Sequence, residues 1–253
     1  MSAIRGNSNR YAAIVADVRA FCTANADAEV VKKYSRYFKE GYDAYGLDND
    51  KMGELEGAIV AKYGDSLGLR DVLALGHLLL ASGKYEEASV AIRLIRRYKA
   101  QFGPSTFEAL GAWLDSGVCN WGHSDTLCDD PLSDFLIKGI VSPDCLKPWT
   151  ASPSRWKRRA VPVTLIPLAK KTGDIGPLLE IVRPLMDDKE RVVHQGTGWF
   201  LREAWKKSPE PVEAFLMEYK DTAPRLIFQY ATEKMSPEQK AVFKAAKKNT
   251  AKK

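Results

Sequence analysis

In the stretch GKYEEASVAIRLIRRYKAQFG, Ala88, Ala91, Ile92, Ile95 and Tyr98 recur at steps of three and four. Arg93, Arg96, Arg97 and Lys99 fall largely on the other faces, which is the pattern of an amphipathic helix. RDVLALGHLLLASG is apolar around more of its circumference and predicts a more buried helix ending at Gly83. PVEAFLMEYK and SPEQKAVFKAAKK each open with a proline near the first helical position, after a glutamate or a serine. Short breaks of Gly, Pro, Asp and Ser separate roughly a dozen such segments. Nowhere do apolar and polar residues alternate long enough to predict a strand.

Many short antiparallel helices predict an all-α fold, either a bundle or an α-solenoid. The spacing of the breaks fits HEAT-like helix pairs of roughly 40 residues. Identity between repeats is too weak for periodicity alone to choose. A chain of 253 residues with 45% hydrophobic content can bury the core of one elongated domain or of two small ones. The expected division is one domain over residues 1–233 and a lysine-rich helix or tail over 234–253. In that tail Lys240, Lys244, Lys247, Lys248, Lys252 and Lys253 follow Pro237. They read as a solvated, fraying helix or as a non-specific grip on phosphates.

The formal charge of +6 favours an anionic partner such as nucleic acid. No apolar run reaches the roughly 18 residues of a membrane span, so no membrane partner is expected. The opening MSAIRGNSNRYAAIV lacks a signal-peptide core and cleavage site. Cys22, Cys119, Cys128 and Cys145 form no paired framework, as is ordinary for a reduced, cytoplasmic chain.

Three segments concentrate tryptophan and charge. In NWGHSDTLCD, Asn120 is a plausible N-cap, which puts Trp121 and Asp125 one turn apart on one helix face. The helix macrodipole favours an ionised Asp125, although an aspartate near a helix start is commonly just a helix-stabilising residue. In SPSRWKRRAVPVTLIPLAKK, Ser152 and Pro153 are expected to open a helix that Pro162 and Pro167 kink or split. Arg155, Lys157, Arg158 and Arg159 crowd its first turn, and guanidinium groups suit phosphate recognition. Trp156 and Arg159 share a face, while Arg158 falls nearer the core stripe; an internal ion pair of Arg158 is the competing reading. In VHQGTGWFLREAWKKSP, Trp199, Arg202 and Lys206 share a face, with Phe200, Leu201 and Ala204 serving the core. A tryptophan there is usually packing; one beside two cations is suited to nucleic acid.

Taken in order, these segments resemble the DNA alkylation repair family of the AlkD type, HEAT-like-repeat glycosylases that release cationic alkylated purines. RYFKEGYDAYGL resembles the family's N-terminal helix, whose DNA-reaching tyrosine corresponds to Tyr37. NWGHSD resembles its W-x-x-x-D element, giving Trp121 and Asp125; RWKRRA resembles its W-x-R-R-A element, whose second arginine is Arg159. GTGWFLREAWKKSP resembles its G-W-x-L-R-E segment and places the second active-site tryptophan at Trp199. The matches run from about residue 30 to about residue 210 in the family's order. Asn120 stands where the family often has a second aromatic, and Gly122 and His123 are unusual fillers.

The resemblance implies an α-solenoid with a concave, basic DNA-binding groove, acting as a monomer on double-stranded DNA that contains alkylated purines. It implies Asp125, Trp121 and Trp199 as catalytic residues. Arg159 and Tyr37 would contact DNA, with Arg158, Lys157, Arg202 and Lys206 as further basic contacts. The implied reaction hydrolyses the N-glycosidic bond of N3- and N7-alkylpurines without a base-flipping pocket, and no cofactor is expected. Two alternatives stay open: a family member that binds DNA structure or bulky adducts without cutting, and an α-solenoid scaffold for acidic proteins. A zinc site is disfavoured, because Cys119, His123 and Cys128 supply three ligands where a structural zinc wants four.

Overall fold

The computed structural model describes residues 2–244; Lys247, Lys248, Lys252 and Lys253 of the basic tail lie outside them. Among the described residues every regular element is helical and there is no strand, so the chain is all-α, as the periodicity predicts. It divides into two compact units, Met1–Phe135 and Leu136–Lys253.

The first unit holds α1 (Ser2–Ala24), α2 (Ala28–Ser35), α3 (Asn49–Tyr63), α4 (Leu69–Leu80), α5 (Tyr85–Ile95), α6 (Pro104–Ser116) and α7 (Trp121–Leu127). The short α8 (Ser133–Ile137) spans the division. α4 packs on α5 and α6. It approaches α6 at Gly76, where a Cβ would lie 2.0 Å from the Trp113 ring, so only glycine admits that indole. The residues between α2 and α3 have no regular structure, and two carboxylates from the first turn of α5 hold them. Glu86 is fully buried and accepts from the backbone N–H groups of Tyr45, Gly46 and Leu47 at 2.9, 2.8 and 3.1 Å. Glu87 receives the Arg19 guanidinium and the Tyr45 hydroxyl. Burial, and then these two carboxylates, push the Cys22 thiol up to about 12, so it stays protonated and inert. Gly46 sits at φ +93° with Asp27 so close that a Cβ would lie 2.1 Å from its carbonyl oxygen.

The second unit holds α9 (Arg155–Ala169), α10 (Gly176–Val182), α11 (Arg191–Trp205), α12 (Pro209–Tyr219), α13 (Arg225–Ala231) and α14 (Pro237–Val242). α11 is its central rod, packed against α9 and α13. The GTG motif makes both contacts possible. A Cβ on Gly196 would press on Arg159 and Val163 of α9, and one on Gly198 would lie 2.6 Å from the Ile227 carbonyl of α13.

Two local expectations are corrected here. The helix opens at Arg155 under a Ser154 cap, whose hydroxyl accepts from Lys157 N–H, rather than at Ser152. It also runs unbroken to Ala169 through Pro162 and Pro167. Each proline removes one backbone bond, a penalty of about 3 kcal/mol in an isolated helix. Every residue from Arg159 to Ile166 is buried, however, so packing on all sides holds the helix together.

Gly198→Ala should destabilise the protein by about 1–3 kcal/mol, because backbone blocks the added methyl. Gly173→Ala, with nothing within 4 Å of the added carbon, should be near neutral. Urea unfolding followed by circular dichroism checks the pair, and equal effects would contradict the close-approach reading.

Candidate functional site

Asn120 caps α7 as its sequence predicts: its side-chain oxygen accepts from His123 N–H at 3.0 Å. That bond fixes the amide orientation, so Nδ2 is the atom facing His123 Nδ1 at 2.9 Å, and it can only donate. Nδ1 is therefore unprotonated and the ring proton sits on Nε2, which donates to Ser89 Oγ at 3.0 Å. Ser89 passes its own proton to the Tyr85 carbonyl at 2.8 Å. The relay Asn120–His123–Ser89–Tyr85 is thus satisfied at every step with a neutral imidazole. Tyr85 also stacks on that ring, with centroids 4.4 Å apart. Burial lowers the His123 pKa to about 4. With both ring nitrogens engaged inside the protein, His123 holds the start of α7 in place.

Trp121 is the first residue of α7 and one of the few large apolar residues on the surface, at 37% exposure. Its indole N–H donates to the Tyr37 carbonyl at 3.1 Å. One face stacks on Phe38 at 5.1 Å, and Phe38 in turn stacks on Tyr42 at 4.7 Å. Gly122 leaves the room for this, since a Cβ there would already touch Asn120 and Phe38. Tyr37 itself is 51% exposed, with the Arg36 guanidinium 4.8 Å above its ring. The structure therefore brings Tyr37 and Trp121 side by side. Asp125 stands one turn further along α7 and is partly exposed.

In the second unit the basic residues are placed differently from one another. Arg158 is turned inward: Nε donates to Asp188 at 2.6 Å and Nη1 to the Ser152 carbonyl at 2.7 Å. Arg159 is only 6% exposed and donates to the Val192 carbonyl at 2.6 Å, tying α9 to α11. Lys157 lies over the Trp149 ring and Arg155 over the buried Trp156. Trp199 is half-buried on α11. Arg202 and Lys206 both reach Glu203, at 3.0 and 2.9 Å, and Arg202 also reaches Glu233. Burial alone would raise the Glu203 carboxyl, but Lys206 and Arg202 hold it below its usual value.

Sequence reasoning missed Phe38, Tyr85, Ser89 and Glu86. The aromatic density of YSRYFKEGYDAYG was the signal available for Phe38. Glu86 and Ser89 read locally as ordinary positions in the first turns of a helix, and their partners lie far away in sequence.

An unfolded His123 takes up its proton near pH 6.5, the folded one only near pH 4. Stability should therefore fall as the pH drops from 6.5 towards 4, by up to about 3 kcal/mol from this residue. The stability of His123→Gln, measured by urea unfolding across that range, should fall less steeply than that of the wild type. Parallel curves would contradict the buried neutral histidine.

The profile of the family described as DNA alkylation repair enzyme matches residues 18–235 of this chain. Among solved structures, a protein titled "Predicted DNA alkylation repair enzyme from Enterococcus faecalis" superposes with a TM-score of 0.70 at 16% identity. The superposition covers 84% of this chain and 97% of that one, and shows a shared fold. No curated protein sequence matches the chain. With the profile spanning well over half of its length, the chain belongs to the DNA alkylation repair enzyme family.

Proposed function

We propose that this chain is a DNA glycosylase that hydrolyses the N-glycosidic bond of positively charged N3- and N7-alkylpurines, with Asp125 as the charge-stabilising carboxylate. The observation that carries the reading is the state of Trp121. Its N–H is already satisfied by the Tyr37 carbonyl and its ring is braced by Phe38, yet the indole remains exposed one turn before Asp125. A fixed aromatic face beside a carboxylate is suited to a cation. Family membership supports DNA as the substrate.

The chemistry needs few groups. A cationic alkylpurine leaves with the electrons of the glycosidic bond and becomes neutral, so no strong general acid is required. Positive charge then develops on the deoxyribose, and water attacks that carbon and loses a proton. A carboxylate ~4 Å from the developing charge contributes roughly 4 kcal/mol at an effective dielectric near 20. That is on the order of a thousandfold in rate. Trp121 would add about 0.5–2 kcal/mol through cation–π contact. Tyr37 and Lys157 would contact the DNA. Arg202 and Lys206 would do so only by exchanging Glu203 for phosphate. Arg158 and Arg159, held by Asp188 and Val192, would act by positioning the α9 surface.

Release of 7-methylguanine from methylated duplex should fall about 10²–10³-fold in Asp125→Asn. Trp121→Leu should cost about threefold to thirtyfold, with duplex affinity changed less than the rate. Equal release by wild type and Asp125→Asn would remove Asp125 from the chemistry. If duplex binding persisted in that case, the protein would be a DNA-binding member without glycosylase activity. Lys157→Ala should reduce the slope of log affinity against log salt by about 1 if Lys157 touches phosphate.

A further inference from the structure

A cavity of about 680 Å³ opens in the first unit on the side of α7 that carries His123 and Thr126. Asp125 is not among its lining residues. Its volume lies within the roughly 300–1,000 Å³ of small-molecule sites. The lining is dominated by rings from three segments of the chain: Tyr34 and Tyr42, which flank Phe38, then Tyr85, and the Trp121 indole. Aromatic faces brought together from separate segments favour a flat, π-bearing ligand over an aliphatic one.

The opposite wall changes character. Arg93 and Arg96 line this cavity and also a shallower recess of about 270 Å³, where Arg97 and Glu56 join them. Glu56 faces Arg93 at 3.3 Å, and Asp130 faces Arg96 at 3.5 Å and also pairs with Lys99. Arg97 is exposed and makes no ion pair among the described residues. Three guanidinium groups and Lys99 thus stand against Glu56, Asp130 and Asp134, the last of which also pairs with Lys99, so the cation left over at this end of the aromatic box is Arg97. Guanidinium N–H pairs match phosphate oxygens in geometry as well as in charge.

We propose that this composite cavity binds a nucleoside monophosphate unit, with the base among the aromatic rings and the phosphate on Arg93, Arg96 and Arg97. The cavity shares Tyr37 and Trp121 with the proposed glycosylase surface but does not include Asp125, and its occupancy is read without turnover. The unit can come from two sources, a free nucleotide or an extrahelical nucleotide of a DNA strand.

Isothermal titration of the full chain with 2′-deoxyadenosine 5′-monophosphate, deoxyadenosine and inorganic phosphate tests it. The monophosphate should bind at least about tenfold tighter than either fragment, since it alone engages both ends of the site. Arg97→Ala, at an exposed position that leaves the fold alone, should remove about tenfold from the monophosphate and leave deoxyadenosine unchanged. Tyr34→Ala should weaken both ligands, and Asp125→Asn neither. Displacement of the monophosphate by a duplex carrying one unpaired adenosine, but not by a fully paired one, would identify the DNA strand as the source. No displacement by either duplex would identify the free nucleotide. Monophosphate binding no tighter than that of deoxyadenosine, or unaffected by Arg97→Ala, would overturn the proposal. Loss of base release in Asp125→Asn with intact monophosphate binding would separate the two sites.

Discussion

Three backbone N–H groups converge on the Glu86 carboxylate, and the surface of the first unit depends on that convergence. The residues between α2 and α3 have no helix of their own to satisfy their amides. A buried carboxylate with three such donors is compensated for its lost hydration, and the turn it grips is fixed in return. Tyr37, Phe38 and Tyr42 belong to this same irregular stretch. Phe38 supplies the face on which Trp121 stacks, and the Tyr37 carbonyl takes its indole proton. Glu86 therefore acts on the candidate site through the loop. Removing it would leave three donors without their acceptor, two of them buried, and release the aromatic brace.

The second unit uses its polar residues in a comparable way. Arg158 and Arg159, part of a dense cluster of cations in the sequence, spend their hydrogen bonds on Asp188 and on the Ser152 and Val192 carbonyls. Each joins α9 to the chain that precedes or forms α11. The glycines at 196 and 198 let α9 and α13 close on that helix from two sides. A net charge of +6 thus overstates the cation available to a ligand, because several guanidinium groups are already engaged within the fold. The exposed Arg97 is better placed to meet an outside anion than the buried Arg159.

The all-helical fold was legible because three- and four-residue periodicity is a local property that needs no partner. The Asn120 cap was legible for the same reason, since its acceptor and donor lie three residues apart. Arg158 and Arg159 were harder. One residue of rotation separates a surface cation from a buried one, and α9 is buried on more sides than its periodicity implies. The prolines misled in the same direction, since burial offsets a loss that would break an exposed helix. Glu86 and His123 were illegible because their meaning lies in partners some 40 and 34 residues away. The family resemblance supplied the order of the tryptophan segments, which no single periodicity contains.

The central claim, that Glu86 sets the exposed face of Trp121 through the loop it grips, is tested most directly by hydrogen exchange read by NMR on wild type and Glu86→Ala. In the wild type the amides of Tyr45, Gly46 and Leu47 and the indole proton of Trp121 should be protected together. In Glu86→Ala all four should exchange much faster, while the amides of α11 in the second unit keep their protection. A Trp121 indole proton that stays as protected in the variant as in the wild type, with the three loop amides exposed, would contradict the account.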